Sequence, residues 1–184
     1  MAEPLHYCSH CGAPVTVRVP EGEDRPRHVC DACGTIHYQN PRVVAGCVIE
    51  WDDRVLLCRR AIEPRRGFWV FPAGFMENGE TIEEAAEREA REEANARVEI
   101  LELYTLFDIP HLEQVHCMFR SRLLDTGFSP GVESLEVRLF REEEIPWRSL
   151  GFASVTFALQ HYFEDRRSGQ FRMHRGTVHP ACPV

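Results

Sequence analysis

The chain has 184 residues, 43% of them hydrophobic, and sets 21 Lys and Arg against 29 Asp and Glu for a formal net charge of −8. That length and composition exclude a disordered chain and suit one domain, or one domain with a small module, able to bury a real core. The acidic balance argues against broad binding to a phosphate backbone, which needs clustered Lys and Arg. The charge is uneven: Glu77 to Glu93 holds eight Glu and two Arg, so 2 − 8 = −6 falls in one short window. The first residues lack the basic and apolar segments of a signal peptide, and no run of about 18 apolar residues occurs, so a cytoplasmic, reducing setting without a membrane span is expected.

In chain order, the first signal is a doubled C-x-x-C-G, at Cys8, Cys11 and Gly12 and again at Cys30, Cys33 and Gly34. Two thiolates three apart on a tight turn can grip one ion, and the following Gly supplies the positive φ such a turn often needs. The spacing predicts a structural four-cysteine zinc site, Zn2+ held by Cys8, Cys11, Cys30 and Cys33, with a hairpin built on Val15–Val19 between the knuckles. The alternative is a pair of redox or merely buried cysteine motifs. His6, His10, His28 and His37 lie nearby as bystanders, because four thiolates already fill the shell. A boundary is expected at Tyr38–Pro41, dividing a ribbon (1–38) from a second domain (39–184).

Beyond it, Val43–Glu50 and Val55–Arg59 read as a hairpin, with Ala61–Gly67 a charged loop and Phe68–Phe71 a short strand stopped by Pro72. A helix follows, then strands near Val98–Phe107, Gln114–Leu124 and Leu135–Phe140, and a last helix over Ala153–Arg167. This order indicates a mixed α/β domain. Cys47, Cys58 and Cys117 sit in apolar runs and read as small core residues. Cys182 has no evident partner, and the tail from Ser168 to Val184 carries no reading.

The first helix explains the acidic window. Thr81 and Glu84 form a capping box, and Asn95 suits a left-handed C-cap. Ile82, Ala86, Ala90 and Ala94 make a small-residue packing stripe. Part of the charge reads as ordinary ion pairs, Glu84 with Arg88 and Glu87 with Arg91. Glu89 has no cation three or four residues away, and it projects within roughly 40° of Glu93 beside the stripe. Two unpaired carboxylates placed there repel each other, and a divalent cation removes the conflict; oxygen ligands with waters suit Mg2+ or Mn2+.

The full pattern is Gly74, five residues, Glu80, seven residues, then Arg88-Glu-Ala-Arg-Glu-Glu-Ala-Asn-Ala96. It resembles the Nudix box, G-x5-E-x7-R-E-U-x-E-E-x-G-U, with Asn95 in place of the last Gly and Ala90 and Ala96 where the family prefers larger aliphatics. The resemblance implies an α/β/α sandwich with a mixed sheet behind a small β zinc ribbon, and an enzyme that hydrolyses a diphosphate bond. It implies Glu89, Glu92 and Glu93 as metal ligands, Glu80 as a supporting acid, Arg88 as the residue orienting the glutamates and the Gly74 carbonyl as a further ligand. A later Glu often completes the set; Glu133 is the first choice and Glu136 the second, a plain strand-entry role being the alternative.

A zinc ribbon fused to such a domain is similar to two groups. The NADH pyrophosphatases carry S-Q-P-W-P-F-P after the box, where this chain has Leu103–Pro110 without that hallmark. The plant chloroplast FAD pyrophosphatase group and its bacterial relatives, which also act on ADP-ribose, resemble nearly the whole chain. The resemblance therefore implies a small-molecule dinucleotide substrate, ADP-ribose or FAD, with release of AMP, a homodimer and no stable nucleic-acid partner. Hydrolysis of NADH or of NAD-capped RNA is the alternative, and a non-enzymatic Nudix regulator is a third. Arg59, Arg60, Arg65 and Arg66 are candidates for the diphosphate, and Phe68, Trp69, Phe75 and Phe107 for a ring. His111, Gln114 and His116 follow a loop that could face the site.

Overall fold

The computed structural model describes residues 5–178, which fall into two compact units divided between Pro41 and Arg42. Cys182 and the end of the tail lie outside the described residues. The first unit is a three-stranded antiparallel sheet in the order β1 (Val15–Arg18), β2 (Arg27–Cys30), β3 (Ile36–His37). Both knuckles close alike: the Gly12 and Gly34 amides, at φ 75° and 74°, donate to the Cys8 and Cys30 carbonyls at 2.8 Å. Its buried apolar residues are few, Cys8, Val29 and Cys30 among them.

The second unit opens with β4 (Arg42–Trp51), β5 (Arg54–Arg60), β6 (Trp69–Val70) and β7 (Ala73–Phe75), then α1 (Ile82–Ala94). After it come β8 (Val98–Ile109), β9 (Gln114–Leu123), β10 (Ser134–Phe140), α2 (Ala153–Ser168) and β11 (His174–Thr177). The mixed sheet runs β10-β5-β4-β9-β8-β11, with β6 on β5 and β7 on β4. β4 lies parallel to β9 and β8 parallel to β11; the other pairs are antiparallel. β4 serves two antiparallel partners, pairing Val44–Gly46 with β7 and Ile49–Trp51 with β5. Only Gly46 admits this: a Cβ there would collide with Ala73 and the Pro72 carbonyl.

Alternation along β4 assigns the faces. Cys47 points to α1, where its thiol donates to the Ala86 carbonyl at 3.4 Å, while Glu50 accepts from Tyr162 of α2 at 3.1 Å. The helices therefore cover opposite faces, as the α/β/α expectation required. Ala85, Ala86, Ala90 and Ala94 are fully buried. Their small side chains bring the helix backbone within reach of a strand thiol, which accounts for alanine where bulkier aliphatics are common. On the α2 face, Asp165 accepts from Tyr104 at 3.0 Å and lies 2.7 Å from His174, tying β11 to helix and sheet. Arg120 pairs with Glu50 and Glu102 and stacks over Phe171 at 3.7 Å.

Candidate active site

Thr81 and Glu84 exchange the two capping-box hydrogen bonds, and Asn95 closes α1 in the left-handed region at φ 48°. Between these caps Arg88 gathers the acids. Its five N–H groups donate to both Glu80 oxygens, to Glu89 at 2.6 Å, to Glu92 at 3.3 Å and to the Phe75 carbonyl at 3.0 Å. The expected helix-surface pairs of Glu84 with Arg88 and Glu87 with Arg91 are not among the ion pairs of the described residues. Glu84 instead accepts from the Thr81 amide, and Arg88 folds over its own neighbour, so Glu89 is not without a cation as its spacing suggested. A long guanidinium can reach an adjacent residue that helix periodicity places on another face.

Glu89 and Glu93 are 8% and 7% exposed. Gly74 faces α1 from β7, and a Cβ there would collide with the Glu89 carboxylate. Burial, and then the Glu89 charge, push the Glu93 carboxyl up to about 8; among the described residues its one hydrogen bond is from the Ala73 amide at 3.3 Å, with the Arg60 charge a weaker pull the other way. Burial also raises Glu89 against the pull of Arg88. Glu80 is held down at about 2 by Arg88 and the Glu77 amide. Glu133 joins this group through a loop fastened to the end of α1: the Ser129 and Gly131 amides donate to the Ala94 and Glu93 carbonyls at 2.9 Å. The Asn95 side-chain amide donates to the Ser129 carbonyl and hydroxyl and to the Pro130 carbonyl. Gly131 is required, because a Cβ would strike the Glu92 carbonyl. Glu136 points elsewhere, 3.9 Å from Arg59.

These carboxylates line one end of a cleft of about 810 Å³. Of the candidate arginines only Arg60 lines it; its Nε donates to the Pro64 carbonyl and its guanidinium stands 5.5 Å from the Phe152 ring. Arg59 faces the other way, donating to the Gly67 carbonyl, and Arg65 stacks over Phe68. Phe75 lines the cleft, 42% exposed, with Arg42 stacked 4.4 Å from its ring. Phe107 does not: it is 4% exposed because Phe157 of α2 packs over it at 5.1 Å. Trp69 is likewise a core residue, edge-on to Phe140. Gln114 and His116 line the cleft and His111 does not. Phe152 and Ser154 complete the wall; a helix start far along the chain carries no local signal for such a role.

In the first unit the four thiols of Cys8, Cys11, Cys30 and Cys33 lie within 4.8 Å of one another. The hydroxyl and amide of Thr35 hold the Cys33 thiol down at about 6. His37 reaches the Cys8 sulfur at 3.3 Å from outside the set. Four convergent sulfurs fit tetrahedral zinc.

A NUDIX domain model matches residues 40–165, and a Nudix N-terminal zinc-ribbon model matches residues 6–39. The chain belongs to the Nudix family. Among solved structures, a NUDIX hydrolase from Nitrosomonas europaea is 54% identical, covers 95% of this chain and 99% of that one, and superposes with a TM-score of 0.92. The ADP-ribose pyrophosphatase of Methanocaldococcus jannaschii is 37% identical over 59% of this chain and 67% of its own length. The NAD-capped RNA hydrolase NudC of Chromobacterium violaceum is 36% identical over 52% of this chain, which spans only 34% of that protein. This Nudix hydrolase therefore joins a NUDIX domain to an N-terminal zinc-ribbon module, as the sequence resemblance implied.

Proposed function

We propose that this Nudix hydrolase cleaves the diphosphate bond of ADP-ribose, and of FAD as a second substrate, to release AMP. One observation carries the reading: two buried carboxylates, Glu89 and Glu93, share a cleft end with Glu92 and Glu133, and Arg88, which holds Glu89 and Glu92, has all five of its N–H groups engaged. The donor set is all oxygen, and burial makes the charged form of Glu93 costly without a cation, so the residues fit Mg2+ or Mn2+. Glu89, Glu92, Glu93, Glu133 and the Gly74 carbonyl would hold it. A bound divalent cation supplies charge neutralisation of the diphosphate and acidifies a water.

The chain's own residues do the rest. Arg88 fixes Glu80, Glu89 and Glu92 in place, and Arg60 offers its two terminal nitrogens to the diphosphate. Glu133, carried on the fastened loop, takes the proton of the attacking water. That water attacks phosphorus in line, and ADP-ribose and water become AMP and ribose 5-phosphate. Phe75 gives the cleft an aromatic face for a ring. The cysteine cluster is a closed structural zinc site of the ribbon (1–38), and residues 39–184 are the hydrolase domain. A cytoplasmic setting belongs to the same reading; no helix among the described residues is long and apolar enough to cross a membrane. The homodimer rests on family resemblance, and sedimentation at micromolar chain concentration checks it.

The name of the Chromobacterium relative supports a second reading, hydrolysis of NAD-capped RNA by the same chemistry, with NADH as the related small-molecule alternative. AMP release from ADP-ribose, FAD and NADH, and decapping of NAD-capped RNA, each with Mg2+ or Mn2+, decide between them. Absence of turnover on all four sinks the enzyme reading of this cleft.

A further inference from the structure

The far wall of the cleft carries polar groups that the diphosphate chemistry does not use. On the sheet, Phe75, Val44 and His116 form a row across β7, β4 and β9, each in register with the next. Two strand spacings, about 10 Å, therefore separate Phe75, beside the carboxylates, from His116. His116 stands 3.1 Å from the Gln114 Oε1 through its Nε2 and 3.3 Å from the Ser154 hydroxyl through its Nδ1. Burial holds its pKa down at about 4, so the ring is neutral and has one N–H.

With the Gln114 oxygen facing Nε2, that nitrogen carries the proton, and Nδ1 accepts from the Ser154 hydroxyl. The chain of donors then runs from Ser154 through His116 to Gln114, and it ends on the Gln114 amide nitrogen. That nitrogen has no hydrogen-bond partner among the described residues. The cleft is also lined by Val44, Ile109, Leu112, Met118, Phe152 and Val155, with the Arg60 guanidinium over the Phe152 ring. All the charged residues lining the cleft, Arg60, Glu77, Arg88, Glu89, Glu92, Glu93 and Glu133, come from other segments of the chain.

We infer that Gln114, His116 and Ser154 form the subsite for the heterocyclic base of the substrate, with the Gln114 amide donating to an acceptor on the edge of the ring. The inference rests on the diphosphatase reading for the identity of the ligand. A mostly apolar wall with one directed donor suits a flat, neutral, acceptor-bearing ring. A sugar phosphate fits it less well, because the cation over Phe152, Arg60, is the one assigned to the diphosphate and the remaining wall would strip its hydration. Gln114 is the binding residue. His116 and Ser154 are positioning residues that set which face of the amide points into the cleft.

The test is product inhibition of ADP-ribose hydrolysis by AMP, which has the base, and by ribose 5-phosphate, which lacks it. Gln114→Leu is expected to raise the KM for ADP-ribose and the inhibition constant of AMP by about tenfold, the reach of one neutral hydrogen bond. It should leave the inhibition constant of ribose 5-phosphate unchanged and kcat within about threefold. His116→Phe should weaken AMP in the same way, and His116→Gln, which can still bridge Ser154 and Gln114, should recover it. If AMP inhibition is unmoved, if both products weaken together, or if kcat falls while KM holds, the subsite is wrong. Calorimetric binding of AMP to the wild type and to Gln114→Leu needs no turnover. A wild type that hydrolyses no dinucleotide yet binds AMP through Gln114 overturns the diphosphatase reading and keeps the subsite. A wild type that turns over ADP-ribose with AMP binding indifferent to Gln114 does the reverse. Where His116→Phe fails to fold, the Gln114→Leu result decides alone.

Discussion

Glu93 illustrates how a side chain can be costly to the fold and useful to the site. A carboxyl pushed up to about 8 by burial disfavours its own ionisation, so Glu93→Gln should leave the melting temperature unchanged or higher. Turnover should fall by about two to four decades, the several kcal/mol a ligand to a catalytic cation contributes. A near-normal rate would reduce Glu93 to a buried acid without function. Gly74→Ala acts on the same site through sterics: the new Cβ displaces the Glu89 carboxylate, a flexible end, so the rate should drop by at least about tenfold while thermal melting moves little. His116 gives a pH signature. Its folded pKa, about 4, lies below its unfolded value, about 6.5, so the unfolded chain binds more protons between these values and stability falls with acid across that window. The loss reaches about 3 kcal/mol below pH 4, and His116→Gln should flatten that part of a urea-unfolding profile. The chemical class of these residues was legible in the sequence. Which of two adjacent arginines faced the cleft was not, because alternation along β5 tells faces apart without saying which face holds the site.

At the scale of elements, local signals were the legible ones. The capping box and the left-handed Asn95 depend on residues within one turn, and the structure has both. Long-range partners were not: β11 pairs in parallel with β8, His174 opposite Thr105, and nothing near His174 in sequence announces that register. Phe107 was misjudged for the same reason, since the ring that covers it comes from α2. Asn95 shows what the local reading omitted. Its side chain binds the loop ahead of Glu133, so Asn95→Gly, which keeps the backbone conformation, should still cost about 1 kcal/mol and slow turnover by loosening Glu133. Asn95→Ala adds left-handed strain and should cost more, about 2 kcal/mol, read by chemical denaturation of both variants.

For the molecule as a whole, the two units draw their stability from different sources. The ribbon buries too little apolar surface to stand alone, so its folding should depend on zinc, at about one ion per chain by elemental analysis. A strong chelator should abolish the ribbon's exchange protection while leaving the main calorimetric transition of the second unit in place; zinc-free protein with an ordered ribbon would refute the site. The net charge of −8 is likewise not one property. Much of it collects around Arg88, and a guanidinium with every N–H engaged cannot also greet a ligand. In the proposed reading the two cleft arginines divide their labour: Arg88 looks inward and keeps the anions of the fold in place, while Arg60 is left to meet the anions that arrive. A descendant of this protein can change what it accepts by altering position 60, but position 88 leaves it no such freedom.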